Sequence, residues 1–245
     1  MATFISPYTK FGFKRIFGQA EHKRILLELL NVLFEGKYHF DNVTYIDEQP
    51  IMGPQQEQRV IHSIFCTLDD GTPIVVEMQN KEIKDFRMRT LYYLSNGILS
   101  QEFSMSRWKH PAIGVYFLGF RQADLRKTYR SNFAMVPEVI VGPEVDESSI
   151  PKRDSGFLGP SDSFEMSFLQ MPEFTKTESE CENDFEKWSY IIKNMDTLDH
   201  IPWADQNDVF AELAEVARLD RLTPEERTAY EESCACLAEY GQKAG

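Results

Sequence analysis

The stretch from Arg59 to Gln79 constrains the fold of this chain more than any other segment. Two apolar runs, Val60 to Thr67 and Ile74 to Met78, are rich in β-branched and aromatic residues, and a turn signature over Asp69 to Thr72 lies between them. This pattern predicts a β-hairpin. Because both faces of both strands are largely apolar, we expect the hairpin to lie inside a sheet that is covered on each side.

Three polar side chains interrupt this apolar hairpin. Side chains along a strand alternate between the two faces, so Glu77 and Gln79 share one face. If the turn is centred near Asp70 and Gly71, Ser63 lies across from Glu77 or Gln79, on the same face as both. A buried carboxylate is costly unless it is paired or binds a metal. The cluster is either a structural polar network or a functional site, and the pattern alone leaves both open.

Length and composition set further bounds. A chain of 245 residues with 42% hydrophobic residues can form one large domain or two small ones. It has no apolar run long enough to cross a bilayer, and its first residues lack the apolar core of a secretion signal, so we expect no membrane association. The four cysteines are scattered and lack the spacing of a complete set of zinc ligands, so we expect no zinc site. Scattered cysteines are typical of proteins in the reducing cytoplasm.

Charge is unevenly distributed along the chain. The net charge is −13, yet residues 1–130 contain 17 Lys and Arg against 14 Asp and Glu. The acidic excess therefore lies in residues 131–245, where we expect helices with solvated surfaces. An acidic protein is not an obvious nucleic-acid binder, but the first half is the half that would face a polyanion.

Hydrophobic spacing predicts helices and further strands around the hairpin. A helix is predicted from Glu21 to Phe34, with Glu28 at the edge of its apolar stripe. A long amphipathic helix is predicted from Glu82 to Phe103, and Arg87 and Arg89 fall in its first turns, where basic residues indicate a nearby acid or anion. The other predicted elements are a short helix over 11–18, strands over 43–46, 113–118, 133–141 and 164–171, and C-terminal helices over 185–195, 208–219 and 224–240. This order predicts an α/β fold with a central mixed sheet.

Several segments occur in an order that is typical of one family. They read PYT-x-FGFKRIFG, an ILLELLN helix, a strand–turn–strand ending in VEMQ, FRMRTLYY, FLQMPEF, FEKWSYIIKNM and LTPEERTAYEES. The VEMQ motif alone is a weak signal, whereas the ordered series is specific. The chain resembles the PD-(D/E)XK nuclease superfamily, and within it the branch of recombination-promoting nucleases and transposases. The resemblance covers nearly the whole sequence.

This resemblance implies a fold and a chemistry. It implies a restriction-endonuclease-like core over residues 1–145, with additional strands and a helical C-terminal region over residues 146–245 that packs on the core as one unit. It also implies DNA as the partner, with a homodimer left open, and hydrolysis of DNA phosphodiesters with Mg²⁺ or Mn²⁺. Hard divalent cations prefer carboxylate oxygens and lower the pKa of bound water, which suits phosphodiester hydrolysis.

The family's residue roles can be carried over to matching positions. Glu77 would be the retained metal ligand, Gln79 would position the water or phosphate, and Glu28 would be an accessory acid that also binds the metal. The residues that would contact DNA phosphates are Arg87, Arg89 and Lys14.

The sequence departs from the family pattern at its centre. Ser63 stands where the family has a metal-binding Asp, and Lys10 stands where the family usually has an Asp after PYT. A serine hydroxyl is neutral and binds Mg²⁺ weakly, so we expect impaired metal binding. His62 is expected on the opposite face from Ser63 and cannot replace it without a slip of the strand.

Three hypotheses remain open from the sequence. The chain is a nuclease-fold protein with reduced or absent activity, or an active nuclease with a metal site built from Glu28, Glu77 and a backbone carbonyl. Alternatively, it is a non-catalytic interaction module that acts through its acidic, helical C-terminal half. Salt-dependent DNA binding would favour either nuclease-fold hypothesis over the interaction module.

Overall fold

The computed structural model describes residues 2–46, 61–69, 71–82, 89–92, 94–95, 112–122, 125, 127–134 and 164–241. The strands in these ranges are β1 (Val43–Ile46), β2 (Ile61–Leu68), β3 (Pro73–Gln79), β4 (Ala112–Leu118), β5 (Arg130–Ala134) and β6 (Phe164–Gln170). The α-helices are α1 (Lys10–Phe17), α2 (Lys23–Leu33), α3 (Asp184–Asn194), α4 (Asp208–Ala217) and α5 (Pro224–Gly241).

The six strands form one sheet in the order β1-β2-β3-β4-β6-β5. Strands β1, β2 and β3 pair antiparallel, β4 is parallel to both β3 and β6, and β5 is antiparallel to β6. The predicted α/β class, with a central mixed sheet flanked by helices and a helical C-terminal region, is therefore confirmed. Strand β6 belongs to the same sheet as the hairpin, and the predicted boundary between residues 145 and 146 lies outside the described residues.

The predicted hairpin is present as β2 and β3. Every described side chain of β3 is buried, and seven of the eight in β2 are buried, which confirms that the hairpin is covered on both faces. Its register places Ser63 directly opposite Glu77, one of the two alternatives that the turn allowed. His62 pairs with Met78 and therefore points to the other face, as alternation requires.

The two faces of the sheet have different neighbours. We call face A the side that carries Ile64, Val76 and Met78, which join the largest hydrophobic cluster together with buried residues of α1, α2, α3 and α4. We call face B the side that carries Phe65, Val75 and Glu77, where Leu94 from the helical residues 94–95 packs on the sheet. The amphipathic N- and C-terminal helices thus cover one face.

Most other predicted elements are found with small shifts. Helix α2 is preceded by a 3₁₀ turn over Ala20–His22, and the capping box of α5 forms, with the Glu226 amide N–H donating to Thr223 Oγ1 at 3.2 Å. The strand predicted over residues 133–141 begins earlier, at Arg130, because pairing with β6 extends it toward the N-terminus. Of the helix predicted over residues 82–103, residues 89–92 and 94–95 are described and are helical, whereas residue 82 is described and is not helical.

Among the described helices, none is both long enough and apolar enough to cross a lipid bilayer.

Candidate functional site

A buried polar cluster lies on face B at the centre of the hairpin. The Ser63 hydroxyl donates a hydrogen bond to Glu77 Oε1 at 2.8 Å. Glu77 is only 1% exposed, in a strand whose other described side chains are also buried. The contact follows from the strand register, because directly opposite residues of an antiparallel pair bring their side chains together.

A third residue, Arg89, also contacts the Glu77 carboxylate. Arg89 Nη2 lies 3.4 Å from Glu77 Oε1 and 3.5 Å from Oε2. Both side chains are buried, so water screens this ion pair little. For Arg89, the nearby acid that its position in the predicted helix indicated is therefore Glu77.

Burial controls the protonation of Glu77. Loss of hydration raises the pKa of this carboxyl, while the charge of Arg89 and the hydrogen bonds from Ser63 and Arg89 oppose the shift. Tyr116 adds to the burial, since it is the β4 neighbour of Glu77 and its ring stacks on Phe168 with 4.9 Å between centroids. Sequence analysis missed Tyr116 because it reads as one more aromatic residue in an apolar strand.

Gln79 lies two residues farther along the same face and has no exposed surface. Its Nε2 donates to the Lys81 carbonyl at 2.9 Å, whereas its Oε1 has no hydrogen-bond partner within the described part of the chain. Gln170 occupies the corresponding position at the end of β6, with Leu118 between the two amides. Sequence analysis also missed Gln170, although its position at the end of an apolar strand matches that of Gln79.

The structure does not bring Glu28 to this cluster. Glu28 is half-buried on α2, and the buried side of that helix packs on face A together with Val76 and Met78. Glu77 points to face B, so the sheet separates the two carboxylates. A metal site that joins Glu28 and Glu77 would need a different arrangement of α2.

The remaining sequence-predicted residues lie apart from Glu77 or outside the described residues. Lys14 and Lys10 line a cavity on the face A side, together with His62. Burial lowers the pKa of His62 to about 4, and the charges of both lysines add to this effect, while the nearby carbonyls of Ile61 and Tyr8 oppose it. Arg87 lies outside the described residues.

A hairpin within a mixed sheet, with a buried acid and an amide two residues apart on its second strand, defines a nuclease-like α/β fold. A model of one family, the PD-(D/E)XK nuclease family transposases, matches residues 7–141 and 146–240. The chain belongs to this family, which confirms the resemblance inferred from its motifs. A comparison with curated proteins finds no match, and a comparison with solved structures also finds none.

Nucleases of this superfamily generally depend on a divalent metal, but the residues around Glu77 do not fit one. Mg²⁺ takes roughly six oxygen ligands and favours carboxylates. Among the described residues, no group of three or more His, Cys, Asp or Glu side chains could hold a metal ion. Arg89 already contacts both oxygens of Glu77, and a second cation there would be repelled. Gln79 Oε1, which has no hydrogen-bond partner among the described residues, adds one neutral oxygen ligand, and this does not replace the missing carboxylate.

Proposed function

We propose that this protein is a DNA-binding member of the transposase branch whose hydrolytic centre is impaired. Two features support DNA as the partner: the family to which the chain belongs, and the basic balance of residues 1–130. The scattered cysteines are consistent with a place in the reducing cytoplasm, where DNA would be met. In this proposal the nuclease fold is retained as a platform and phosphodiester cleavage is weak or absent.

The observation that carries the proposal is the set of contacts around Glu77. The Ser63 hydroxyl donates a hydrogen bond to this carboxylate. At the position of Ser63 the family has an Asp, which would bind a metal ion together with Glu77. The Arg89 guanidinium supplies the positive charge that a metal would otherwise bring. Without a divalent ion, no described side chain beside Glu77 would lower the pKa of an attacking water.

Contacts to DNA come from basic residues in the first half of the chain. We assign Lys14 and Arg87 to phosphate contacts, as the family resemblance implies. Arg89 differs from them because it is 9% exposed and contacts Glu77, so it would need to leave that carboxylate before binding a phosphate. We therefore assign Arg89 to the ion pair with Glu77.

Two assays on the purified protein test the proposal. We expect a gel shift with duplex DNA whose affinity falls steeply with salt, because phosphate contacts release counterions. We also expect little nicking of plasmid DNA with either Mg²⁺ or Mn²⁺, at a level that Glu77→Gln leaves unchanged.

Either assay can contradict the proposal. Robust metal-dependent nicking that disappears in Glu77→Gln would show an active nuclease. A protein that shifts no DNA at any salt concentration would instead favour the interaction module of the acidic C-terminal half.

A further inference from the structure

The C-terminal helix α5 lies against α1 on the face A side of the sheet. A cavity of about 810 Å³ lies between the two helices, and side chains of both line it. The lining side chains of α5 recur every three to four residues, so they form one face of the helix. We call this face the inner face of α5, and its members are Glu226, Ala229, Glu232, Ser233, Cys236 and Leu237.

The inner face supplies hydrogen-bond acceptors to α1. Glu226 Oε1 accepts a hydrogen bond from Arg15 Nη1 at 2.5 Å. Ser233 Oγ accepts one from the Phe11 amide N–H at 3.2 Å, in the first turn of α1. Guanidinium groups and the amides at the start of a helix are typical donors to phosphate oxygens. Oxygens of α5 therefore occupy donors of the kind that would bind a phosphate.

The inner face also brings negative charge next to the lysines of α1. Glu226 and Glu232 line the cavity from α5, while Lys10 and Lys14 line it from α1. Lys14 is the residue that we assigned to a DNA phosphate. Carboxylates near these lysines repel an approaching phosphate, because both groups are anions. In the observed position, α5 therefore opposes DNA binding by α1.

The contacts that hold α5 in place bury little of it. Within residues 224–239 no described side chain is buried, whereas four residues of α1 are. Tyr230 provides two of the contacts: its ring meets that of Phe11 edge-on, with 5.9 Å between centroids, and its Oη accepts a hydrogen bond from the Ser6 amide N–H at 2.9 Å. An element with few buried contacts opens at a lower free-energy cost than the core of the protein.

We infer that α5 is an autoinhibitory cover over the DNA-binding surface of α1. When α5 moves away, Lys14, the Phe11 amide N–H and Arg15 Nη1 become accessible to a phosphate backbone. Arg15 Nε donates to the Val216 carbonyl at 3.0 Å, and this contact keeps the guanidinium in place without α5. The inference rests on the proposed function, because it takes DNA as the partner of Lys14. It adds a closed state that lowers the apparent affinity for DNA.

Fluorescence anisotropy with a labelled DNA duplex tests this inference on the full-length protein. Glu226→Gln and Glu232→Gln each remove one negative charge from the inner face. Gln at position 226 can still complete the capping box of α5, so the helix should persist. We expect each variant to raise the affinity for the duplex by at least about fivefold, because the open state becomes more populated.

Matched variants on the same helix control for the change in net charge. Glu225→Gln and Glu231→Gln remove the same charge from exposed positions outside the inner face. Each should change the affinity by less than about twofold, since exposed charges interact weakly. Tyr230→Phe removes the hydrogen bond from the Ser6 amide without changing the charge, and it should also raise the affinity.

Two further measurements connect the gain in affinity to the movement of α5. Adding Lys14→Met to Glu232→Gln should remove most of the gain, whereas adding Lys127→Met, at an exposed position, should preserve it. In the wild type, hydrogen exchange over residues 224–239 should become faster when the duplex is bound. A helix that has lost its packing contacts frays, because isolated helices are marginally stable in water.

The results distinguish a failure of the inference from a failure of the proposed function. If the wild type binds DNA and all four Glu→Gln variants bind it with equal affinity, the inference is overturned and the proposed function stands. Hydrogen exchange over residues 224–239 that bound DNA leaves unchanged, or slows, also overturns the inference alone. If neither the wild type nor any variant binds the duplex, both are contradicted.

Discussion

At the residue scale, the Glu77 carboxylate is shared between the Ser63 hydroxyl and the Arg89 guanidinium. A buried carboxylate with one neutral donor alone would favour its protonated form, because desolvation disfavours the charge. The guanidinium opposes that shift, and the pair is held within a sheet that excludes water. An Asp at position 63 would add a second negative charge at the same place, so the substitution changes which cation the site can hold.

A double-mutant cycle measures how strongly Glu77 and Arg89 depend on each other. Glu77→Gln and Arg89→Met should each lower the free energy of unfolding by about 3 kcal/mol, since each leaves a buried partner uncompensated. The double variant should lose clearly less than the sum of the two. Urea denaturation provides the three values. Strict additivity would mean that the two side chains are not coupled.

His62 predicts a pH dependence of stability. Its pKa is lowered from 6.5 to about 4, so the unfolded chain binds a proton between these values that the folded chain does not. Stability should therefore fall as the pH drops from about 6.5 to about 4, by up to roughly 3 kcal/mol from this group. In urea denaturation, we expect the free energy of unfolding of His62→Gln to fall less at acid pH than that of the wild type. His200→Gln, at an exposed position, is the matched control. If His62→Gln lost as much stability at acid pH as the wild type, the result would contradict the burial of His62.

At the element scale, the loop before α1 fixes how that helix meets the sheet. The Thr9 hydroxyl accepts a hydrogen bond from the Gly12 amide N–H at 3.0 Å and donates one to the Ser6 carbonyl at 2.8 Å. Asn80 Nδ2 donates to the Tyr8 carbonyl at 2.5 Å, which joins the same loop to the end of β3. The position of the cavity lysines thus depends on this short cap.

Gly12 is required by close approach rather than by its backbone angles. A Cβ at position 12 would lie 2.0 Å from the Ser6 carbonyl oxygen, so Gly12→Ala must displace the cap. We expect a loss of at least about 2 kcal/mol in the free energy of unfolding. Gly36→Asn is the control, because a Cβ there meets nothing within 4 Å and Asn tolerates the φ of +76°. Equal effects of the two substitutions would contradict the tight approach at Gly12.

The hairpin was predictable from sequence because its signals are local. Alternation and the turn restrict Ser63 to a position opposite Glu77 or Gln79, and the structure selects Glu77. The contact between Glu77 and Arg89 was harder to predict from the sequence, because spacing within a helix does not specify which strand the helix packs on. Glu28 shows the same limit: the apolar stripe of α2 predicts a buried face but not which face of the sheet receives it.

At the scale of the whole molecule, one sheet separates two polar sites. The Glu77 cluster lies on face B, and the cavity lined by Lys10, Lys14 and His62 lies on the side of face A. Lys10, Lys14 and His62 belong to the first half of the sequence, as the Glu77 cluster does, yet only the topology shows that the two groups lie on opposite sides of the sheet. A variant at one site should therefore leave the other intact, which makes the two separable in experiments.

We propose that the Glu77 site has lost its affinity for a divalent cation. Calorimetric titration of Mn²⁺ into the wild type, Ser63→Asp and Ser63→Asn tests it most directly, since Asn differs from Asp in charge and hardly in size. We expect no measurable binding to the wild type or to Ser63→Asn. In Ser63→Asp the affinity should rise at least about tenfold, as a carboxylate is added beside Glu77. Tight Mn²⁺ binding by the wild type that Glu77→Gln removes would contradict the account.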